Sequence, residues 1–410
     1  MKIQLDAFPI IPIEKWKEQI AKELKKENTT ESFQYRDEIE NLTFSITPEN
    51  YHTIEIENDK QSGDWEIGYS IDITESNIKE SNQEALQALN FGANSIIFDL
   101  KTDKTIDLNI LLNEINIEFI DLHFNTKNEN QNSSLLSFKK GNKHKRIFIN
   151  SEKSIDDSIF ISSYLIHQIG GNATEEITYL LNKINQIISE QEFQSVHLEM
   201  GIGNNLMLEI AKFKSIRILI NQLFKTYGIN PTVYLTAKSG FVNKSCLDPH
   251  SNLLRQTTEA FSAILGNVDQ LILKPYDSYF IQKETSFTSR MAINISNLLK
   301  EEGKLNLTNN PFEGARYINQ YIHLASDAAW KLFNKIESQG GINSEGGLKE
   351  LKNTILTTRE KRISSFKNKE RLLIGINAFQ NESKNNNQWD TFLFENFLSI
   401  PQLILEQELD

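Results

Sequence analysis

From residue 65 onward the sequence alternates short apolar segments with amphipathic helical segments, and this alternation is its strongest constraint on the fold. Trp65, Ile67, Tyr69 and Ile71 are separated by polar or small residues, which predicts a half-buried strand over residues 65–71. Further strands are predicted at residues 95–100, 117–124, 146–150, 159–164, 195–200, 232–236, 270–274 and, on a weaker pattern, 304–308. Helices are predicted between them at residues 77–91, 174–190, 204–227, 251–265 and 287–301.

Strand–helix alternation implies parallel strands that are connected by crossovers, so seven or eight such units predict an α/β fold of the (β/α)8, or TIM-type, barrel class. Residues 125–145 are polar and rich in asparagine, which predicts a loop. The interval from 125 to 159 is short for the strands and helices it must supply, so we expect one helix of the barrel to be missing there.

The N-terminal region is predicted to contain an amphipathic helix. Pro12 suits a first helical turn, and Ile13, Trp16, Ile20 and Leu24 follow at helical spacing. The apolar side of this helix must be buried against another surface. It either packs on its own domain or lies as an arm on a partner chain.

The last hundred residues are predicted to be mainly helical. One helix opens at Asn310-Pro311 and ends at the glycine pair Gly340-Gly341, and a second helix spans residues 348–367. The chain is therefore divided into an N-terminal arm and linker at residues 1–64, a barrel at residues 65–310 and a C-terminal helical extension at residues 311–410.

Composition excludes several classes of protein. The 410 residues include 55 acidic and 43 basic side chains, for a formal net charge of −12, whereas a nucleic-acid binder needs a basic surface to neutralise phosphates. The single cysteine, Cys246, excludes an intramolecular disulfide and is poor material for a thiolate metal site. No apolar run approaches the roughly 20 residues of a membrane span, and the first residues lack the apolar core of a secretory signal. We expect a soluble, cytoplasmic protein with neither a membrane nor a nucleic-acid partner.

Gly201 and Gly203 lie between a predicted strand and a predicted helix. Glycines in that position let the backbone approach a ligand phosphate at a helix N-terminus. The third glycine of the dinucleotide fingerprint is missing, however, and no acidic residue supplies the expected ribose contact. We therefore interpret the glycine pair as a place where a helix packs closely on a strand.

Three further residues are candidates for a metal site. His197 and Glu199 are two apart on one predicted strand, and His167 follows an earlier strand, so all three are expected near the carboxyl-terminal strand ends. The spacings of known histidine metal sites are absent, and we predict satisfied or surface histidines without a metal.

Arg255 and Glu259, four apart on a predicted helix, are typical of a modest surface or interface pair.

Many short segments between residues 65 and 379 have the order and spacing of one known family. They are residues 65–71, 82–86, 92–93, 201–204, 239–240, 310–317, 340–341, 362–363 and 374–377, together with Glu209, Ala211, Lys212, Asn252, Arg255, Thr257, Glu259, Ala260, Gly266 and Ala329. On these residues the chain resembles the methylmalonyl-CoA mutase family. That family folds its acyl-CoA domain as a (β/α)8 barrel, so the resemblance implies the fold that the alternation predicts.

The resemblance also implies that the catalytic residues of the family are lost in this chain. Active members read Ser-Gly-Tyr-His-Met-Gln-Glu-Ala-Gly at the end of the fourth strand, where this chain has Leu165 at the histidine position and Gln168 at the following glutamate. The family arginine before the glycine pair corresponds to Ser195, and a histidine and a glutamine of the next strand correspond to Leu235 and Ala237. Leucine can neither donate a hydrogen bond to a thioester carbonyl nor transfer a proton.

Active large subunits of the family carry a C-terminal domain whose Asp-x-His-x-x-Gly motif supplies the histidine ligand to cobalt. This sequence contains no such motif, so we expect it to bind neither the cofactor nor a metal itself. The resemblance implies a non-catalytic small (beta) subunit of a heterodimer, a pseudoenzyme of propionate metabolism. Its large-subunit partner would bind adenosylcobalamin and interconvert (R)-methylmalonyl-CoA and succinyl-CoA, while residual acyl-CoA binding in this chain stays open.

Two alternatives stay open at this point. One is an active acyl-CoA mutase barrel that uses a separate cobalamin-binding chain, although Leu165, Ser195 and Leu235 speak against it. The other is a free-standing acyl-CoA-binding or regulatory protein without a mutase partner.

Overall fold

The computed structural model describes residues 12–24, 34–45, 62–126, 129–142, 146–151, 153, 155–282, 285–312, 315–380, 387–390 and 396–409. Most of the arm and linker predicted at residues 1–64 therefore lies outside the described residues. Within the described residues, no helix is long and apolar enough to cross a membrane.

Eight parallel strands of the described chain form the centre of the fold. The described chain contains ten strands in all: β1 (Gln34–Asp37), β2 (Leu42–Ser45), β3 (Glu66–Ile73), β4 (Ser95–Leu100), β5 (Asp121–Asn125), β6 (Ile147–Asn150), β7 (Ser158–Ser162), β8 (Ser195–Ile202), β9 (Thr232–Ser239) and β10 (Gln270–Ile272). β1 and β2 pair as an antiparallel hairpin, and the others form one parallel sheet in the order β6-β5-β4-β3-β10-β9-β8-β7. Because the two terminal strands of that order, β6 and β7, are in contact, the sheet is a nearly closed barrel. The predicted (β/α)8 architecture is confirmed.

Helices surround the barrel. They are α1 (Ile13–Leu24), α2 (Ile78–Asn90), α3 (Leu108–Leu111), α4 (Glu129–Gly141), α5 (Tyr164–Gln168), α6 (Ala173–Glu190), α7 (Leu206–Tyr227), α8 (Ser251–Leu265), α9 (Thr285–Asn297), α10 (Arg316–Glu337), α11 (Glu345–Lys367) and α12 (Leu405–Leu409). Since the barrel strands are parallel, their carboxyl ends and the loops that follow them share one face, which we call the mouth of the barrel. The amphipathic helix predicted at the N-terminus is confirmed as α1.

The two sides of each barrel strand differ in character, because successive residues point to opposite sides of a sheet. Phe98 of β4 and Phe124 of β5 point outward and join the apolar core between the strands and the helices. Asp99 and His123, their neighbours on the same strands, make contacts across the interior of the barrel, which we call the lumen. The barrel therefore has an apolar outer core and a largely polar lumen.

A second layer of helices lies outside the barrel helices. α10 packs on α6 and α7, and α11 packs on α10 and α6, which explains why α6 is buried along most of its length. α6 begins with a capping box, in which Asn172 and Glu175 satisfy each other's backbone N–H groups. The glycine pair predicted to end α10 is confirmed, because Gly340 and Gly341 follow the helix with φ angles of 98° and 78°.

The barrel closes between β6 and β7, and these two strands are not paired in the way that the other neighbouring strands of the sheet are. After β6 the chain runs back alongside β7, and the Phe160 N–H donates a 2.8 Å hydrogen bond to the Ser151 carbonyl. Ile155 and Ser158 then exchange both backbone hydrogen bonds around Asp156 and Asp157, whose φ angles of 53° and 60° are those of a type I′ turn. Among the described residues of this connection there is no helix, so the expected absence of one barrel helix is located here.

Two predictions of secondary structure were wrong. The loop predicted at residues 125–145 contains α4, because Leu135 on one side of this asparagine-rich segment is buried in the barrel core. The weak strand predicted at residues 304–308 is a short 3-10 helix, Leu305–Leu307, whose Leu307 side chain is exposed and which follows Lys304 at a φ of 53°. The β1–β2 hairpin was not predicted; its Phe44 stacks on α10, 3.9 Å from Tyr321 between ring centroids.

Candidate functional site: the mouth and lumen of the barrel

The middle of the lumen is filled by a layer of aromatic side chains. His197 of β8 lies 4.9 Å from Tyr234 of β9 and 5.0 Å from Phe148 of β6, measured between ring centroids. His123 of β5 stacks on Phe148 at 4.6 Å. Burial lowers the pKa of His197 to about 4 and that of His123 well below its ordinary value, so both imidazoles are neutral at pH 7. The layer is a packed partition across the barrel.

Between this layer and the mouth lies a cluster of three buried charges, Asp99, Glu199 and Lys238. The Lys238 ammonium is 3.4 Å from Glu199 Oε2 and 3.7 Å from Asp99 Oδ2. Burial alone would raise the pKa of Asp99, but the Lys238 ammonium outweighs it and holds that pKa well below the usual range. For Lys238, burial is likewise outweighed by the two carboxylates, and its pKa lies above the usual value. Asp99 and Lys238 are therefore both charged at pH 7.

Polar side chains form hydrogen bonds with the carboxylates of this cluster. Ser70 Oγ donates to Asp99 at 2.8 Å, and the Asn125 amide donates to the other oxygen of the same carboxylate. Ser162 Oγ donates to Glu199 at 2.7 Å, and the Asn150 amide donates to Asn125 at 2.7 Å. Each carboxylate therefore contacts the Lys238 ammonium and accepts a serine hydrogen bond within the network.

Aromatic side chains lie above the cluster at the mouth. The Tyr164 hydroxyl donates to the Ser239 carbonyl at 3.1 Å and is 3.0 Å from the Tyr279 hydroxyl. The Lys238 ammonium is 5.1 Å from the centroid of the Tyr164 ring, which adds a cation–π contact. Burial and the neighbouring Tyr279 raise the pKa of Tyr164 well above its ordinary value, so its phenol stays protonated.

The C-terminal segment, residues 403–409, is attached to loops at the mouth. The Leu403 N–H donates to the Gln168 carbonyl at 2.7 Å, after β7. The buried Glu406 carboxylate accepts from the Cys246 and Leu247 N–H groups at 3.0 and 3.1 Å, after β9, and from the Trp389 indole at 2.7 Å. One carboxylate therefore anchors the end of the chain to the β9 loop.

The five positions at which the resemblance implies lost catalytic residues do not converge. Leu165 is half-buried on α5, and Gln168 is buried, with its amide oxygen accepting from the Phe241 N–H at 3.3 Å. Ser195 is the first residue of β8, at the end of the barrel opposite the mouth. Leu235 and Ala237 point outward into the core between strands and helices.

His167, His197 and Glu199 have separate partners. His167 Nδ1 is 3.2 Å from Glu176 of α6, whereas His197 belongs to the aromatic layer and Glu199 pairs with Lys238. No group of three or more His, Cys, Asp or Glu side chains in the described part of the chain is arranged to hold a metal ion.

A buried chain of charges continues from His167 behind the mouth. Lys212 of α7 lies 3.0 Å from Glu176 and 2.6 Å from Glu209. Burial would raise the pKa of Glu176, but Lys212 and His167 outweigh it and lower that pKa. These ion pairs hold α5, α6 and α7 together.

The glycine pair serves this region by steric means. A Cβ atom on Gly201 would clash with the His167 ring, and one on Gly203 would lie 2.7 Å from Glu209 Oε1. The glycines therefore make room for side chains near the ends of α5 and α7, which agrees with packing as their role.

The pair predicted between Arg255 and Glu259 is replaced, because Glu259 forms an ion pair with Lys244, and Arg255 donates to Asn252 at 2.8 Å.

The charged cluster was missed by the sequence analysis, although a signal for it exists. Asp99, Asn125, Asn150, Glu199 and Lys238 all occur at or near the carboxyl end of a barrel strand. On each strand the preceding residue is apolar and belongs to the core between strands and helices. A polar residue recurring on the inward side of several parallel strands predicts a polar lumen.

Comparison with known proteins agrees with this architecture. A family model described as methylmalonyl-CoA mutase matches residues 147–396. The chain is 26% identical to the methylmalonyl-CoA mutase small subunit of Porphyromonas gingivalis, over 91% of this chain and 70% of that protein. It is 20% identical to the small subunit of Propionibacterium freudenreichii subsp. shermanii, over 54% of this chain and 37% of that protein. It is also 27% identical to the large subunit of Porphyromonas gingivalis, over 55% of this chain and 33% of that protein.

The family match covers more than half of the chain. Apart from the Porphyromonas gingivalis small subunit, the chain spans only about a third of the length of these relatives. Their name describes a mutase, an enzyme of the isomerase class. This chain belongs to the methylmalonyl-CoA mutase family.

Proposed function

We propose that this chain is the non-catalytic small subunit of a heterodimeric methylmalonyl-CoA mutase. In this proposal the large subunit carries out the adenosylcobalamin-dependent isomerisation of (R)-methylmalonyl-CoA and succinyl-CoA. The observation that carries the proposal is the closed network of Asp99, Glu199 and Lys238 in the lumen, below the mouth. The role of this barrel is then to stabilise its partner.

Catalysis on a thioester requires a hydrogen-bond donor at the carbonyl and a group that can exchange a proton. Leu165 supplies neither at the position where active members have histidine. In the lumen, Asp99 and Glu199 contact Lys238, and at the mouth the Tyr164 phenol is engaged with Ser239 and Tyr279. These groups are therefore engaged within the protein and are not free to act as an acid or a base on a thioester.

The three buried histidines of the described chain do not fit the role of a ligand to cobalt. A histidine ligand to cobalt must present a ring nitrogen to the metal, but His123, His167 and His197 are buried among protein partners. No group of three or more His, Cys, Asp or Glu side chains in the described part of the chain could hold a metal ion. The cofactor is therefore assigned to the partner subunit.

A partner of the large-subunit type is supported by the relatives, because Porphyromonas gingivalis has both a small and a large mutase subunit. The amphipathic helix α1 suits an arm on such a partner, since it precedes the barrel and carries an apolar side with Trp16 and Ile20. An obligate interface of this kind buries more than about 2,000 Å² in total.

The proposal is tested with this chain alone, the large subunit of the same organism alone, and the two mixed. Mutase activity with adenosylcobalamin and the mass from size-exclusion chromatography are measured on the same samples. We expect a 1:1 complex that is active, and no activity from this chain alone. Activity of this chain with only a separate cobalamin-binding domain would refute the proposal, and failure to form a complex would favour a free-standing acyl-CoA-binding protein.

A variant of this chain separates a structural role from a catalytic one. Tyr164→Phe keeps the ring at the mouth and removes its hydroxyl. If this barrel is non-catalytic, the complex with the variant keeps its activity within about twofold, because no reacting atom depends on that phenol. A loss of about a hundredfold with an unchanged complex mass would show that the mouth takes part in the reaction.

A further inference from the structure

A groove of about 760 Å³ lies on the outer side of the helix layers, away from the barrel mouth. It is bounded by α10 on one side and α11 on the other, and the turn of the β1–β2 hairpin and the first turn of α6 form its inner end. Its volume is within the range of about 300–1,000 Å³ that is typical of sites for small molecules.

The two walls of the groove differ in chemistry. Leu324, Ala328 and Leu332 recur every four residues along α10 and give that wall an apolar surface. The facing wall on α11 carries Thr354 and Thr357 at the corresponding helical spacing. An elongated molecule with an apolar body matches this pair of walls.

Two carboxyl groups lie at the inner end. Glu175 uses both oxygens, since it accepts from Thr358 Oγ1 at 2.6 Å and from the Asn172 N–H at 2.9 Å. Glu40, which is 6% exposed, accepts from the Ala173 N–H at 3.2 Å through Oε2 only. Within the described chain, its Oε1 atom has no hydrogen-bond partner. Burial, with the nearby Asp37, raises the pKa of Glu40 to about 8.

Thr174 supplies a second polar group without a partner. Its side chain lines the groove at the first turn of α6, is 8% exposed, and its hydroxyl has no hydrogen-bond partner among the described residues. Buried hydroxyls are normally hydrogen-bonded, so the Thr174 hydroxyl has unused hydrogen-bonding capacity beside the groove. A carboxyl oxygen and a hydroxyl oxygen, both acceptors, therefore border the same inner end.

We propose that this groove binds a small organic ammonium compound, with its NH3+ group between Glu40 and Thr174 and its apolar body along the α10 wall. An ammonium group has three donors and a positive charge, which suit a buried carboxyl oxygen and a hydroxyl. The outer rim carries the exposed Lys331 and Lys361, whose charges are screened by solvent. The site is independent of the function proposed above.

Isothermal titration calorimetry with two probes of equal length tests the proposal. Hexylammonium is expected to bind saturably, whereas hexanoate, which has the same apolar body and the opposite charge, is not. Affinity for hexylammonium should rise by about tenfold per pH unit between about pH 6 and pH 7.5, because Glu40 must release its proton to pair with the ligand. The charged groups facing Glu40 are Asp37, Glu175, Glu209 and Arg362.

Variants of the groove locate the binding. Glu40→Gln keeps the acceptor for the Ala173 N–H, and we expect it to weaken binding by about tenfold or more at pH 8 and to remove the pH dependence. Thr174→Val removes only the hydroxyl and should weaken binding about threefold to tenfold. Glu350→Gln alters a carboxylate at the rim that is paired with Lys335, and it is the matched control, with an expected change below about twofold.

The melting temperature of each variant shows whether it is folded before binding is compared. Three results would overturn the assignment: no saturable heat from hexylammonium with the wild-type chain, hexanoate binding as tightly as hexylammonium, or unchanged affinity in a folded Glu40→Gln variant. None of these results bears on complex formation with a mutase partner, so the two proposals fail separately.

Discussion

Replacing Lys238 by methionine should destabilise the barrel strongly and in a pH-dependent way. Methionine has a similar length, so the substitution removes the charge while it keeps most of the packing. Asp99 and Glu199 are then left facing each other in the lumen without the ammonium that lies 3.7 and 3.4 Å from them. Removal of one partner from a buried ion pair is expected to lower the free energy of unfolding by about 3–4 kcal/mol at pH 7.

Protonation of the carboxylates sets an upper bound on this loss. Protonating one carboxyl with an ordinary pKa near 4 requires about 4 kcal/mol at pH 7, at 1.36 kcal/mol per pH unit. In the wild-type chain, Lys238 holds the pKa of Asp99 in the folded state below its value in the unfolded state. This difference stabilises the fold at pH values above the unfolded-state pKa, and the stabilisation is lost as the pH falls toward the folded-state pKa. The difference in free energy of unfolding between wild type and Lys238→Met should therefore fall to about 1–2 kcal/mol near pH 5.

Urea denaturation followed by circular dichroism at pH 7 and pH 5 measures both values. Lys335→Met is the matched control, since this exposed lysine pairs with Glu350 at the surface and should change the free energy of unfolding by less than about 1 kcal/mol. The triple variant that combines Lys238→Met with Asp99→Asn and Glu199→Gln should have a free energy of unfolding within about 1–2 kcal/mol of the wild-type value. A loss below about 1 kcal/mol in the single variant, or one that does not change with pH, would refute the network as described.

Three other perturbations test separate parts of the structure. Because burial holds the folded-state pKa of His197 at about 4, below the unfolded value of 6.5, the fold should lose up to about 3 kcal/mol as the pH falls from 6.5 to 4, and His197→Phe should reduce this loss in urea titrations across that range. Gly201→Ala places a methyl group against the His167 ring and should lower the free energy of unfolding by about 1–3 kcal/mol in the same assay. Glu406→Gln should speed hydrogen exchange at residues 403–409 and leave the barrel strands unchanged, because an amide cannot accept all the donors that the carboxylate accepts.

Much of the fold was predictable from local sequence patterns. The strand at residues 95–100 and the helix at residues 251–265 agree with β4 and α8 residue by residue, because apolar periodicity records which face of an element is buried. The pattern failed at α4, where polar residues of all kinds outnumber the few apolar residues that anchor the helix to the core.

The candidate site was predictable only in part. The sequence shows Leu235 and Ala237 at family positions, but it does not show that both side chains point away from the lumen while Lys238 points into it. A shift of one residue exchanges the two sides of a strand, so an aligned position does not by itself define a contact.

The sequence by itself determined the alternation of strands and helices, the apolar outer core and the family resemblance, since each depends on residues that are close in the chain. Only the tertiary structure decided how the barrel closes at the Ile155–Ser158 turn and which charges meet in the lumen. Asp99 and Lys238 lie on strands that are not neighbours in the sheet, β4 and β9, and they meet because the sheet curves around. Contacts across a barrel depend on the curvature and register of all its strands together, which no local segment of the sequence specifies.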